Sequence, residues 1–210
     1  MNVNDLAARL GDSCYALLAL NFFWGLYSII MGWRRVAQLS FRNQEQQKAF
    51  LDELMEKLHS KQFDAAAAQC DDDARALPQL AHLAIVNRGI GFEPLRHLVM
   101  EVLQRDVLGS LEYRTNWIAT TIKSGPLLGL FGTVLGMMAA FGRIGTGAKI
   151  TPEYIARDIS IALICTAMGL ATAIPFNFLL ASIQVRVRRL QDSMASGVVR
   201  VLDYFKRNPV

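Results

Sequence analysis

The sequence has few of the residues that build reactive sites or cross-linked scaffolds. Its 210 residues include 3 cysteines and 3 histidines, and 19% of the chain is Asp, Glu, Lys or Arg. The cysteines show no spacing typical of a disulfide framework or a zinc site. The GxSxG and HExxH motifs are also missing. We therefore expect no metal site, no cofactor and no enzymatic activity. Because 52% of the residues are hydrophobic, intrinsic disorder is excluded as well.

Charge is missing altogether from three long stretches. Ser13–Trp33, Ser124–Gly142 and Ile159–Val185 contain no Asp, Glu, Lys, Arg or His over 21, 19 and 27 residues. A membrane-spanning helix needs about 20 mostly apolar residues, and a buried soluble helix of this length would normally keep a polar face. The first stretch is too long for a cleaved signal peptide. The sequence therefore predicts an all-α membrane protein with three transmembrane helices.

Basic residues beside these stretches predict the orientation of the chain. Cytoplasmic segments next to a membrane span are enriched in Lys and Arg. Six basic residues favour one side: Arg34, Arg35, Lys123, Arg186, Arg188 and Arg189. Three favour the opposite orientation: Arg143, Lys149 and Arg157. The majority places the N-terminus outside the cytoplasm and the C-terminus inside.

The predicted organisation has seven segments, and the cytoplasmic domain is expected to form from long extensions of the spanning helices. The segments are an extracytoplasmic N-terminal segment (1–13), transmembrane helix 1 (14–33), a helical cytoplasmic domain (34–123), transmembrane helix 2 (124–142), an extracytoplasmic loop (143–158), transmembrane helix 3 (159–185) and a basic cytoplasmic C-terminal helix (186–210).

The cytoplasmic segments have the periodicity of helices, and no stretch alternates as a half-buried strand would. One predicted helical face contains Phe50, Leu51, Leu54, Met55 and Leu58. The C-terminal helix has an apolar side made of Leu190, Met194, Val198, Val201 and Leu202. Breaks are expected at Asp71–Asp73 and at Arg88–Gly91. The helix after Pro94 is expected to continue into the second span.

Small residues form a stripe along the second and third spans. The first stripe is Gly129, Thr133, Gly136 and Ala140, and the second is Ala162, Thr166, Gly169 and Ala173. Such stripes usually allow close helix packing, and a threonine inside a membrane usually bonds its own backbone at i−4. A polar pathway along the two threonines is the other interpretation.

The residues around these stripes resemble a known family. GPLLGLFGTVLGM at 125–137 and TAMGLATAIP at 166–175 are similar to motifs of the MotA/TolQ/ExbB proton channel family, with the greater similarity to its ExbB/TolQ branch. The predicted order of spans agrees with that family. From residue 125 to residue 175 the paired motif spans about a quarter of the chain, and the N-terminal half matches in layout only.

The resemblance implies a function and a set of partners. Members assemble as homopentamers around two copies of a single-span protein of the ExbD/TolR type, which brings an aspartate into the pore. Proton flow then drives mechanical work on the cell envelope, and a TonB/TolA-like energy transducer is a further candidate partner. The implied location is the bacterial inner membrane, with a periplasmic N-terminus and a cytoplasmic C-terminus.

The resemblance also implies roles for individual residues. The two pore threonines of the family map onto Thr133 and Thr166. The small residues then line the pore or contact the partner helix: Gly129, Gly136, Ala140, Ala162, Gly169 and Ala173. Pro126 and Pro175 shape their helices, and Pro175 leaves the carbonyl of Ala171 without its usual helical partner.

One position departs from the family pattern. ExbB and TolQ usually carry an acidic residue five positions before the third-span threonine, and Ile161 stands there in this chain. Two alternatives therefore stay open. The chain could be a non-conducting structural membrane scaffold of the same fold. It could also be a MotA-like flagellar stator subunit, although that class usually has four spans.

Overall fold

The computed structural model of the protein describes residues 3–41, 43–71, 73–145 and 152–208. Within these ranges the regular structure is helical, and no strand occurs in them. In chain order the elements are α1 (Val3–Leu39), α2 (Gln44–His59), α3 (Phe63–Asp71), α4 (Ala76–Val86), a 3-10 helix (Arg88–Ile90), α5 (Phe92–Val102), a π-helical segment (Leu103–Leu108), α6 (Gly109–Gly145) and α7 (Pro152–Arg207).

Three of these helices, α1, α6 and α7, are long and apolar enough to cross a membrane. In the apolar windows of these spans, only 22%, 33% and 28% of the residues are buried inside the chain. Large side chains such as Phe23 (67% exposed) and Phe178 (73% exposed) therefore lie on the outer surface of the chain. Such a surface requires lipid or protein around it. The protein is thus an all-α membrane protein with three spanning helices, as the sequence predicts.

The chain divides into two compact units. Unit 1 consists of Met1–Ile30 and Thr115–Ala181 and contains most of the charge-free stretches. In this unit α1 packs closely on α7, where the rings of Phe22 and Phe176 stack with their centroids 5.5 Å apart. Gly25 allows this approach, because a Cβ atom there would meet the Phe176 ring and the methyl group of Thr121.

Unit 2 consists of Met31–Arg114 and Ser182–Val210 and has its own apolar core. The predicted face of α2 is confirmed, since Leu51, Leu54 and Leu58 are all buried. The predicted apolar side of the C-terminal helix is confirmed too, and all five of its side chains are buried: Leu190, Met194, Val198, Val201 and Leu202. The hydroxyl of Tyr204 also donates to the carbonyl of Leu58, which joins α7 to the end of α2.

The helix ends in unit 2 follow the turn signals of the sequence. Helix α3 ends at Asp71, and residues 73–75 are not helical. Gly91 has φ +90°, a left-handed conformation that glycine adopts without strain. The expected continuous helix after Pro94 is present, but a π-helical segment joins α5 to α6. The connection between α6 and α7, in the predicted loop 143–158, lies at residues 146–151, outside the described residues.

Cys70 is a buried thiol in the core of unit 2. Desolvation and the nearby charge of Asp73 raise its pKa from 9.0 to about 11, and Lys57 only partly opposes this change. Because the thiolate is the reactive form, this higher pKa leaves about a hundredfold less thiolate at neutral pH. We expect Cys70 to resist maleimide in the folded protein at pH 7.5 and to react readily after denaturation. Site-resolved mass spectrometry would measure this, and equal labelling before and after denaturation would contradict it.

Candidate functional site

The second and third spans pack against each other through small residues in unit 1. Three contacts define the packing: Gly125 against Gly169, Gly129 against Cys165 and Thr166, and Gly136 against Ala162. As the residue number rises along α6 it falls along α7, so the two helices are antiparallel here. The stripes predicted from the sequence therefore face each other within one chain.

The backbones approach too closely for larger side chains. A Cβ atom at Gly129 would lie 2.8 Å from the carbonyl oxygen of Cys165 and 2.9 Å from Cα of Thr166. One at Gly169 would lie 2.6 Å from the carbonyl oxygen of Gly125. These neighbours are backbone atoms, which cannot move aside as a flexible side chain can. The glycines thus set the distance between the helices, and this distance brings the two threonines together.

Thr133 and Thr166 form one hydroxyl pair, and both side chains are half-buried. The two Oγ1 atoms contact each other directly. Thr133 Oγ1 also lies 3.1 Å from the carbonyl oxygen of Gly129 and 3.2 Å from that of Ala162. Thr166 Oγ1 lies 3.0 Å from the same Gly129 oxygen. The backbone bond at i−4 expected for an isolated threonine is present at Thr133, and contacts across the two helices accompany it.

This arrangement allows more than one hydrogen-bonding pattern. Each hydroxyl has one proton to donate and can also accept. Thr133 can donate to Thr166 while Thr166 donates to the Gly129 carbonyl. In the reverse pattern Thr166 donates to Thr133, which donates to a carbonyl. The pair can therefore reverse its direction, but it cannot hold an extra proton near neutral pH, because neither group is ionisable in that range. A proton relay at this position needs an ionisable group from elsewhere.

The other predicted site residues are mostly buried within the chain. Ala140, Ala162 and Ala173 are 1%, 2% and 8% exposed, so they contribute to packing inside the chain. Gly136 is half-buried against Ala162. Close packing is thus one role of these residues within the chain, while their contact with a pore or a partner helix stays a prediction. Pro126 and Pro175 lie inside α6 and α7 without ending either helix.

A second polar cluster, which the sequence reasoning missed, joins α1 to α6. The amide of Asn21 donates to Ser124 Oγ at 2.6 Å, and Ser124 donates to the carbonyl of Thr121 at 3.0 Å. A lone asparagine inside the charge-free stretch Ser13–Trp33 was the available signal, because buried amides in membranes bond across helices. This cluster therefore bonds the first span to the second.

The position five residues before Thr166, where the resemblance implies a carboxylate, is occupied by an accessible apolar side chain. Ile161 is 40% exposed, and its carbonyl accepts a hydrogen bond from the hydroxyl of Tyr15 at 2.9 Å. Tyr15 is a further residue that the sequence reasoning missed. No ionisable side chain replaces the acid at this position. Among the described residues there is also no group of three or more His, Cys, Asp or Glu side chains placed to hold a metal ion.

These features define a class of membrane protein: a three-span helical chain with a hydroxyl pair between two antiparallel spans. Comparison with family models identifies the class further. Residues 43–196, more than half of the chain, match the model described as the MotA/TolQ/ExbB proton channel family. The chain therefore belongs to this family, in agreement with the resemblance found in its sequence.

Individual relatives carry names from the ExbB/TolQ branch. The chain is 36% identical over 99 residues to the Tol-Pal system protein TolQ of Haemophilus influenzae, covering 47% of this chain and 43% of that protein. It is 31% identical over 135 residues to the biopolymer transport protein ExbB of Neisseria gonorrhoeae, covering 62% and 55%. A TolQ of Pseudomonas aeruginosa is 43% identical over 65 residues, covering 31% and 28%. The matches thus span about half or less of these relatives.

Proposed function

We propose that the protein is an ExbB/TolQ-like subunit of an inner-membrane motor driven by the proton-motive force. Five copies form a ring around two copies of a single-span partner that carries one intramembrane aspartate. Proton passage through this aspartate, beside Thr133 and Thr166, is coupled to mechanical work on the cell envelope. In this proposal the protein is not an enzyme, and it reaches its target through a TonB/TolA-like transducer.

The hydroxyl pair is the observation that carries the proposal. Thr133 and Thr166 come from different spans, yet they share one carbonyl acceptor and contact each other. Polar groups held together at this depth are costly unless they have a function or satisfy each other. A pair that can reverse its hydrogen bonds is suited to a site where a neighbouring carboxylate gains and loses a proton. The partner's aspartate supplies the carboxylate that the three charge-free stretches lack.

Exposed groups in the spans support an assembly of several chains. Asn177 lies in the third charge-free stretch with an exposed side chain, and its amide has no hydrogen bond with the described residues. An asparagine amide in the hydrocarbon region favours a hydrogen bond to another helix or to water in a pore. A neighbouring subunit, the partner helix or a hydrated lumen would each satisfy Asn177. A single chain surrounded by lipid would not.

The proposed orientation follows the distribution of basic residues. The N-terminus is periplasmic, the segment 34–123 is cytoplasmic, and the helix 186–210 is cytoplasmic and basic. The six flanking basic residues favour this arrangement under the positive-inside rule. Reporter fusions at residue 60 and at the C-terminus should both behave as cytoplasmic. In the assembly, the parts of the two small-residue stripes that are not buried between α6 and α7 would contact the pore or the partner helix.

Reconstitution tests the proposal directly. The chain is placed in liposomes alone, with its single-span partner, or with a partner in which the intramembrane aspartate is replaced by asparagine. We expect proton flux only with the unmodified partner, and a complex of five chains with two partners by native mass spectrometry. A pH-sensitive dye inside the liposomes reports the flux.

The same measurement distinguishes the proton-driven motor from a non-conducting structural scaffold. Ile161 favours the scaffold because it stands where the resemblance implies a carboxylate. A scaffold would form the complex with the partner but give no flux above that of the chain alone. Flux that persists with the asparagine-containing partner would instead contradict the assigned role of the aspartate. Complex formation serves as the control, because chains that have not assembled with the partner would give no flux whether or not the assembled complex conducts protons.

A further inference from the structure

A large groove opens in unit 2 beyond the ends of the first and third charge-free stretches. It has a volume of about 1050 Å³. Its polar wall includes Arg186, Arg189, Ser40, Asn43 and Gln44. Hydroxyl, amide and guanidinium groups of this kind are the usual ligands of a phosphate or another oxyanion. The groove is separate from the threonine pair, which lies in unit 1.

Two arginines of the groove lie close enough in sequence to the third charge-free stretch to reach the lipid headgroups. Arg186 directly follows the third charge-free stretch, and its guanidinium carbon lies 4.1 Å from the centre of the Trp33 ring, at the end of the first stretch. Tryptophan rings beside arginines mark the membrane–water boundary. Arg189 follows Val185 by four residues, which is about 6 Å along a helix. The headgroup layer is about 5–8 Å deep on each side of the bilayer, so both arginines can reach it.

Positive charge at this level is not neutralised within the chain. Five arginines lie at the ends of the two stretches: Arg34, Arg35, Arg186, Arg188 and Arg189. None of them forms an ion pair with the residues that the structure describes. One acidic residue, Glu45, is part of the groove lining. An anion would therefore meet a net positive wall.

Apolar side chains form the remaining wall of the groove. Ala37 is exposed there and Phe41 is half-buried. Behind them the wall is backed by buried side chains of Val36, Leu39, Leu190 and Met194. A site for a free ion has no need of such a surface, but a lipid presents a charged headgroup joined to an apolar glycerol ester and acyl chains. The combination of arginines, neutral polar groups and apolar side chains matches the boundary region of a phospholipid.

We propose that this groove binds the headgroup of an anionic phospholipid from the surrounding bilayer, with Arg189 and Arg186 contacting the phosphate. Arg186 is held in place by Trp33, whereas Arg189 has no partner among the described residues and is available for the ligand. Basic pockets at the membrane surface are a known means of binding anionic lipids. The proposal depends on the three-span fold and is independent of proton conduction.

The chain offers a matched pair of variants for a test. Arg188 and Arg189 are adjacent, exposed and equal in charge, but only Arg189 lines the groove. The full-length protein is purified in detergent, and retained lipids are counted by native mass spectrometry with phosphatidylglycerol or phosphatidylcholine. We expect preferential retention of phosphatidylglycerol. The Arg189→Gln variant should reduce this retention about fivefold, the factor typical of one lost arginine at an anionic surface. Arg188→Gln should leave it unchanged.

Several outcomes would overturn the proposal. Equal retention of the two lipids would remove the headgroup preference. Equal losses in Arg188→Gln and Arg189→Gln would indicate diffuse attraction to the whole basic surface. Retention of inorganic phosphate by the lipid-free protein, with loss in Arg189→Gln and with no retention of phosphatidylglycerol, would identify a free anion as the ligand. Binding to the monomer but not to the assembled oligomer would mean that a neighbouring copy covers the groove. Unchanged thermal stability and oligomeric state serve as the folding control for both variants.

Discussion

Replacing both Thr133 and Thr166 with valine is expected to reduce proton flux to the level of liposomes that contain the chain without its partner. Valine keeps nearly the same shape but removes the hydroxyl, so the Gly129 carbonyl would lose both of its side-chain donors. The site would then offer no hydroxyl that could exchange a proton with the partner's carboxylate. The dye assay used for the unmodified complex measures this loss.

Assembly should survive the double substitution. Hydrogen bonds between helices in membranes contribute on average only about 0.6 kcal/mol each, which is small beside the packing of a whole span. The glycine contacts that set the helix distance remain in place. Native mass spectrometry should therefore give the same complex for the variant and the unmodified protein. Loss of the complex would show that the two threonines are needed for assembly, so that the loss of flux could not be assigned to a role in proton transfer.

Thr172→Val is the matched control for this experiment. Thr172 lies in the same span as Thr166, and its hydroxyl donates to the carbonyl of Met168 in its own helix at 2.9 Å. Its removal should leave the flux close to that of the unmodified protein. Single substitutions should fall between the extremes, because either remaining hydroxyl still reaches the Gly129 carbonyl. Full flux in the double variant would exclude the threonine pair from the pathway.

Gly169→Ala is expected to have the second large effect, because the added Cβ would lie 2.6 Å from the carbonyl oxygen of Gly125. A contact this short with backbone atoms forces the two spans apart. Overpacking of a close helix interface typically costs about 1–3 kcal/mol. The separation would also pull apart Thr133 and Thr166, which lie about one helical turn away. We expect a lower thermal midpoint in detergent and strongly reduced flux.

Gly125→Ala provides a control at the same contact. A Cβ atom there would lie 3.4 Å from the carbonyl oxygen of Gly169 and 3.5 Å from Oδ1 of Asn21, which are ordinary van der Waals distances. This variant should keep both its stability and its flux. Comparison of Gly169→Ala with Gly125→Ala thus separates the effect of close packing from the effect of losing any glycine in a span. Equal behaviour of the two variants would contradict the packing derived for this interface.

Much of the fold could be predicted from the sequence because it depends on local patterns. A stretch of about 20 residues without charge can exist as a membrane span whatever its neighbours are. The apolar faces of α2 and the C-terminal helix follow from 3.6-residue periodicity, and their burial confirms them. The turn at Gly91 follows from glycine's tolerance of positive φ. The π-helical segment Leu103–Leu108 has no comparable local signal and was not predicted.

The candidate site was predictable only in part. Periodicity placed Thr133 and Thr166 on small-residue stripes, and the family resemblance gave them a role. Neither the periodicity nor the resemblance determined whether each hydroxyl would bond its own helix or another group. The bond from Asn21 to Ser124 joins residues 103 positions apart, and that from Tyr15 to Ile161 joins residues 146 positions apart. The lone Asn21 indicates a bond to another helix, but no local pattern predicts the partner residue in either contact.

The sequence by itself determined the number of spans, the helical class and the absence of Asp, Glu, Lys, Arg and His from the three stretches, because these properties belong to single segments. Tertiary structure alone decided that the two threonines share one carbonyl. Their meeting depends on the antiparallel register of α6 and α7, which is set by close contacts at Gly129, Gly136 and Gly169. The tertiary structure also decided that Arg189 lines a groove while its neighbour Arg188 does not. Adjacent residues on a helix point about 100° apart, and only the packed neighbours define what each one faces.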